Sequence, residues 1–253
     1  MRKILEELKN GKISIEDAEK LLTQKVLSIG EYVNYDLFRK ERTGIPEVIL
    51  GDTKDEEILA EIVKKNVEVL GYAIVSRCSS KFAERLGKEI GGAYYEKGRV
   101  FYAGKFKPEI EIEGTVGIIT GGTGDLRVAE EAKAILEVLG CKTKMAYDVG
   151  VAGPHRIIKV LEKMRDVDCY IVVAGREGTL PTLVAALVNK IVIGVPVSIG
   201  YGHAGSGEAA LSTMLQSCTP VCVVNIDAGF TAAVISYLIV KQISEARKCR
   251  KSS

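Results

Sequence analysis

The chain of 253 residues is long enough for one large or two modest domains, and a hydrophobic content of 47% suffices for a real core. Thirty-five basic residues against 33 acidic ones leave a net charge of +2, with Lys and Glu interspersed, so no nucleic-acid surface is indicated; the basic end Arg247 to Lys251 reads as a fraying helix terminus. No apolar run reaches the roughly 18 residues a spanning helix needs, and the N-terminus MRKILEELKNG has no signal-peptide core, so a cytoplasmic protein without a membrane partner is expected. Six cysteines (Cys78, Cys141, Cys169, Cys218, Cys222, Cys249) include no C-x-x-C pair, so reduced thiols are the expectation. Two histidines, His155 and His203, cannot build a multi-histidine metal site; no metal site or cofactor is implied, and Mg2+ would enter only on carboxylates or on ligand phosphates.

In chain order, residues 1 to about 25 predict two short helices split by Asn10-Gly11, the second opened by a Ser14/Asp17 capping box. A smaller α/β unit follows, with strands at 48–50, 72–75 and 100–102 and helices at 55–66 and 81–90. The polar, Pro-containing stretch 105–114 reads as a linker, which divides the chain into an N-terminal helical and small α/β domain, 1–112, and a main domain, 113–253. From Thr115 onward strands near 116–120, 143–147, 169–174, 191–195 and 221–225 alternate with helices near 126–139, 154–165, 180–189, 207–216 and 229–246. Strands that read as continuous Val/Ile runs, such as CYIVVAG and KIVIGVPV, are buried on both faces. The fold class predicted is therefore α/β, a doubly wound parallel sheet in an αβα sandwich with a smaller N-terminal α/β domain.

Ligands of such sheets sit at the carboxyl ends of the strands, where four glycine-rich loops fall: TGGTGD (120–125), DVGVAGPHR (148–156), AGREGTLPT (174–182) and VSIGYGHAGSG (197–207). The first follows an apolar strand and opens a helix, which puts bare N–H groups and a helix N-terminus at one point. That predicts a phosphate seat, although neither G-x-G-x-x-G nor G-x-x-x-x-G-K-[ST] is present and a plain tight turn is the competing account. Gly200, Gly202 and Gly205 belong to the second predicted phosphate loop. Glu177 and Asp227 stand on loops leaving strand ends, and each could act on substrate or cap the following helix. Cys222 lies within an apolar strand and reads as an inert small hydrophobe.

Those four loops, with QSCTPVCVVNIDAGF (216–230) and the N-terminal phrase DLFRKERTGIPEVILGDTK (36–54), resemble the LarB family, and the main domain resembles the PurE-type aminoimidazole ribonucleotide carboxylases and mutases. The resemblance implies a PurE-like catalytic domain in a symmetric homo-oligomer, typically an octamer. It also implies a reaction on nicotinic acid adenine dinucleotide with CO2: carboxylation of the pyridinium ring and hydrolysis of the phosphoanhydride, giving a pyridinium biscarboxylic acid mononucleotide and AMP for a nickel-pincer nucleotide cofactor. Cys218 stands at the family's thiol position; a thiolate that adds to the ring makes C5 nucleophilic toward CO2. Glu177 and Asp227 are the candidate bases, and Gly121, Gly122, Thr123, Asp125, Asp148, His155, Arg156 and Gly175 the candidate substrate contacts. The His155-Arg156 pair resembles the PurE-type anion clamp, against a salt bridge of Arg156 with Asp148. Three departures stand out: Gly124 where a serine is usual, Arg176 for Met and Ala228 for Asn. A PurE-type carboxylase or mutase and a non-catalytic nucleotide-binding module are the alternatives. The apolar helix segment 232–240 is expected to be buried against a neighbouring subunit, or else within its own.

Overall fold

The computed structural model describes residues 2–23, 26–29, 33–36, 39–200 and 202–251. Two helices, α1 (Arg2–Lys9) and α2 (Ile15–Thr23), open the chain, and the Ser14/Asp17 box forms reciprocally: Asp17 N–H donates to Ser14 Oγ at 3.0 Å and Ser14 N–H to Asp17 Oδ2 at 3.4 Å. An antiparallel pair absent from the sequence reading follows, β1 (Val26–Ile29) and β2 (Val33–Asp36), then the short helix α3 (Arg39–Thr43).

The smaller sheet is built from β3 (Ile49–Leu50), helix α4 (Glu56–Leu70), β4 (Tyr72–Ser76), helix α5 (Ser80–Ile90), β5 (Ala93–Tyr95) and β6 (Val100–Gly104). Its order is β3-β4-β6-β5, parallel between β3 and β4 and antiparallel elsewhere. Asp55 caps α4 by accepting the N–H groups of Glu57 and Ile58, and left-handed Gly71 (φ 79°) ends it.

The main sheet comprises β7 (Thr115–Thr120), β8 (Lys142–Ala146), β9 (Cys169–Ala174), β10 (Ile191–Pro196) and β11 (Cys222–Val223), joined through α6 (Leu126–Val138), α7 (Pro154–Lys163), α8 (Leu180–Leu187) and α9 (Glu208–Leu215) and followed by α10 (Gly229–Lys251). All its pairings are parallel, in the order β11-β10-β9-β7-β8. Numbered within the sheet this is 2-1-3-4-5, a doubly wound order whose switch point lies between β7 and β9. Consecutive residues of β7 face opposite layers: Ile118 packs with α6 and α10, Ile119 with α7, α8 and α9.

The same core that holds Ile118 also takes Ile74 and Val100 of the smaller sheet, so α6 and α10 form a helical layer shared by both sheets, while α4 and α5 cover the far face of the smaller one. The stretch 105–114, expected as a linker, is coil but packed: Phe106 and Ile112 are buried and the Phe106 ring meets Tyr72 edge-on at 5.2 Å. The apolar segment 232–240 of α10 is buried or half-buried throughout within one subunit, so its all-round apolarity is accounted for without a neighbour. Among the described residues no helix is long and apolar enough to cross a membrane.

Candidate active site

The loops leaving β7 and β9 meet at the switch point, and a buried carboxylate ties them together. Asp125 accepts the N–H of Gly122 at 2.8 Å through Oδ2 and that of Gly175 at 3.0 Å through Oδ1. Burial lifts its carboxyl above the usual aspartate range; the backbone N–H groups of Gly122, Gly175 and Gly121 pull the other way and the charge of Glu177 adds to the rise. Glycine is needed where these loops touch: a Cβ on Gly150 would stand 2.8 Å from the carbonyl of Gly121, and one on Gly175 2.9 Å from that of Ile199. The result is an open cleft of about 640 Å³ walled by residues 121–125, 150–152 and 174–180 and by Ile199.

Gly121, Gly122, Thr123, Asp125, Gly175 and Glu177 line this cleft as expected, and Arg176 joins them at left-handed φ (44°). In the first loop Asp125 takes the Gly122 N–H and Val173 the Gly121 N–H, so the predicted phosphate seat is left the N–H groups of Thr123 and Gly124 at the mouth of α6. The second predicted loop, 200–207, stands apart from this cleft. There the left-handed residues Ala204, Ser206 and Gly207 fold the loop back, so that Gly205 and Ala204 carbonyls accept the first N–H groups of α9 at 3.3 and 3.1 Å, and Gly200, Gly202 and Gly205 lie outside the cleft.

Arg156 takes the salt-bridge alternative. It donates 2.6 Å to the Asp148 carbonyl, pairs with the Asp148 carboxylate at 3.2 Å and reaches the Gly150 carbonyl at 3.3 Å, which fixes the loop after β8; His155 is exposed on the first turn of α7, outside this cleft. Neither capping alternative occurs. Glu177 is exposed along the cleft, and the Asp227 carboxylate accepts the Ser198 N–H at 3.0 Å and its Oγ–H at 2.5 Å, outside the cleft wall. Asp227 is itself left-handed (φ 55°) and its carbonyl receives Arg77 Nη2 at 2.5 Å, so the smaller domain grips the loop before α10. Buried Glu131 on α6 completes that grip by accepting from Arg77 Nε at 3.2 Å and from Ser76 Oγ.

Burial pushes the thiols of Cys78, Cys141 and Cys169 up to about 11, 12 and 12, out of reach of the thiolate form at neutral pH. Cys218 and Cys222 are exposed; Cys222 was expected as an inert core residue, but β11 is the sheet edge. Cys218 does not line the cleft of its own subunit. Its neighbours Ser217 and Thr219 are hydrogen-bonded at 2.9 and 3.1 Å to Thr182, in the first turn of α8 beyond the lining residue Thr179.

Sequence reasoning passed over Arg77, Arg127, Ser198 and Glu131. Arg127 alone carried a signal: a cation in the first turn of α6 opposes the helix dipole, a local conflict that points to function. Left-handed non-glycine residues collect at the same edge, Asp148, Arg176, Ala204, Ser206 and Asp227, as strain does at functional sites.

A parallel five-stranded sheet in the order 2-1-3-4-5 with a cleft at its switch point defines a doubly wound α/β domain; residues 115–250 match the AIR carboxylase family model while residues 27–105 match that of the LarB/PurE-like N-terminal domain. The chain belongs to the LarB family, with a PurE-like C-terminal domain. It is 40% identical over 253 residues to an uncharacterized protein of Methanocaldococcus jannaschii, covering 95% of this chain and 97% of the other. An enzyme of the same organism, N5-carboxyaminoimidazole ribonucleotide mutase, is 35% identical over 126 residues, 49% of this chain and 76% of its own. Treponema denticola PurE is a structural neighbour at 21% identity and TM-score 0.41, covering 55% of this chain and 94% of that one.

Proposed function

We propose that the protein carboxylates the pyridinium ring of nicotinic acid adenine dinucleotide with CO2 and hydrolyses its phosphoanhydride. The observation that carries this reading is the pair of acids at the switch-point cleft: Asp125, held by the Gly122 and Gly175 N–H groups, and Glu177 both line a space that suits a flat cation. Arg176 at its rim would meet the ring carboxylate.

In the chemistry proposed, the Cys218 thiolate adds to the ring, and the electron pair carried to C5 forms the bond to CO2. Glu177 then takes the C5 proton, the C–S bond breaks with its electrons returning to sulfur, and aromaticity is restored. Water cleaves the phosphoanhydride to release AMP. Because Ser217 and Thr219 pin the Cys218 loop to Thr182, the thiol is proposed to come from a second copy of the chain, whose site this copy serves in return. Exposed Ile158 and Leu187 along a groove between α7 and α8 support such an assembly.

The test is one incubation of the purified protein with the dinucleotide and bicarbonate, read by mass spectrometry for AMP and a ring-carboxylated mononucleotide; neither product forming would dismiss the reading. A mutase acting on an aminoimidazole ribonucleotide is the second reading, favoured by the 35% identity to a protein of that name. It needs no cysteine, so turnover of that ribonucleotide surviving in Cys218→Ser would select it.

A further inference from the structure

The switch-point cleft can take a ring, and a dinucleotide still has a diphosphate and a second nucleoside to place. Across Thr123, Gly124 and Ile199, which wall both, lies a second cleft of about 650 Å³. Leu126 and Ile199 give it apolar sides. Of the acids at its margin, Asp148 is paired with Arg156, while Glu130 keeps its charge and accepts the Tyr147 hydroxyl at 2.6 Å.

Two cations remain. Lys97, on the turn between β5 and β6 of the smaller domain, is exposed along this cleft and has no hydrogen-bond or ion-pair partner among the described residues. Arg127 stands in the first turn of α6, the positive end of the helix dipole, where its charge is shared in a loose 3.8 Å ion pair with the Asp227 carboxylate that is too long for a hydrogen bond and leaves its N–H groups available to a further anion. A bound anion would relieve the conflict at Arg127, and the N-terminal end of α6 would add to the attraction. Gly124 keeps the passage between the two clefts open, since a Cβ there would come within 3.3 Å of the Ile199 side chain.

We infer that this second cleft holds the phosphate-bearing adenylate half of a dinucleotide, with Lys97 and Arg127 as its counter-charges, and that the smaller domain thereby selects a dinucleotide over a mononucleotide. This rests on the dinucleotide reading above. A ligand spanning both clefts would lay its cationic ring beside Asp125 and Glu177 and its diphosphate at the Thr123–Gly124 passage.

The experiment is calorimetric titration of the full chain, wild type and Lys97→Glu, with AMP, nicotinic acid riboside and the intact dinucleotide. Lys97 is exposed, so the variant folds; Lys97→Met serves as a neutral second variant. Loss of one charge-assisted contact predicts AMP and dinucleotide affinity falling about tenfold or more in Lys97→Glu, less in Lys97→Met, with riboside affinity changed under about twofold. AMP binding that is absent in the wild type, or equal in wild type and Lys97→Glu, overturns the assignment, as does an equal loss for the riboside. Wild-type protein that binds AMP through Lys97 but never converts the dinucleotide keeps this cleft and removes the carboxylase reading. Conversion by Lys97→Glu at the wild-type KM does the reverse.

Discussion

A pair of glycine substitutions separates the loop's role in binding from its role in folding. A Cβ at Gly122 would meet no protein atom within 4 Å, and its backbone is extended at φ −144°, a conformation that suits a β-branched residue. Gly122→Val should therefore change stability by no more than about 0.5 kcal/mol, a melting shift of at most about 2 °C for a chain of this size. Its methyl groups would occupy the cleft, and a misfit of one methylene or more costs a bound ring at least about 1–3 kcal/mol, or roughly tenfold in affinity. Gly178 is the opposite case. It is left-handed (φ 68°), and a Cβ there would lie 2.6 Å from the Ala210 carbonyl oxygen. The strained backbone costs about 1–2 kcal/mol and the overlap about 1–3 more, so Gly178→Ala should melt roughly 4–20 °C lower. Differential scanning calorimetry and titration with nicotinic acid riboside read both quantities on the same samples. Wild-type riboside affinity in Gly122→Val would place the ring elsewhere, and a wild-type melting point for Gly178→Ala would refute the packing argument.

Cys218→Ser should abolish ring carboxylation while leaving the melting temperature unchanged, because the side chain is exposed; mixing it with Glu177→Gln after subunit exchange should restore part of the activity if each site draws its thiol from a second copy, and no restoration would return Cys218 to its own subunit. Glu177→Gln alone should slow turnover by about 100-fold or more at little change in KM, measured by AMP release, and a raised KM at constant kcat would make it a positioning residue instead. Glu131→Ala leaves Arg77 its Asp52 and Asp227 partners but takes the acceptor from the buried Ser76 hydroxyl and should cost about 1–3 kcal/mol; a loss under about 0.5 kcal/mol in a denaturant titration would show that the two domains do not depend on this contact.

Periodicity determined most of the fold without any tertiary information. The Val/Ile runs at 169–174 and 191–196 could only be strands covered on both faces, the amphipathic segments between them could only be crossover helices, and a doubly wound sheet then puts its ligand at the glycine loops after β7 and β9. Asp125, Glu177 and the glycines beside them were legible for that reason: their place follows from strand direction alone. Which donors those loops leave free was not legible. Gly122, Gly175 and the first amides of α9 look equally able to hold a phosphate in one dimension, and only the folded chain shows that Asp125 and the carbonyls of Ala204 and Gly205 occupy them. The same holds for Arg77, which is 150 residues from the Asp227 carbonyl it reaches, and for Lys97, a charge on a hairpin turn until the smaller sheet packs on α6. Local patterns set the elements because backbone hydrogen bonds and side-chain alternation act over a few residues; the partners of a polar group are set by distant segments meeting, which depends on how the shared α6 and α10 layer packs.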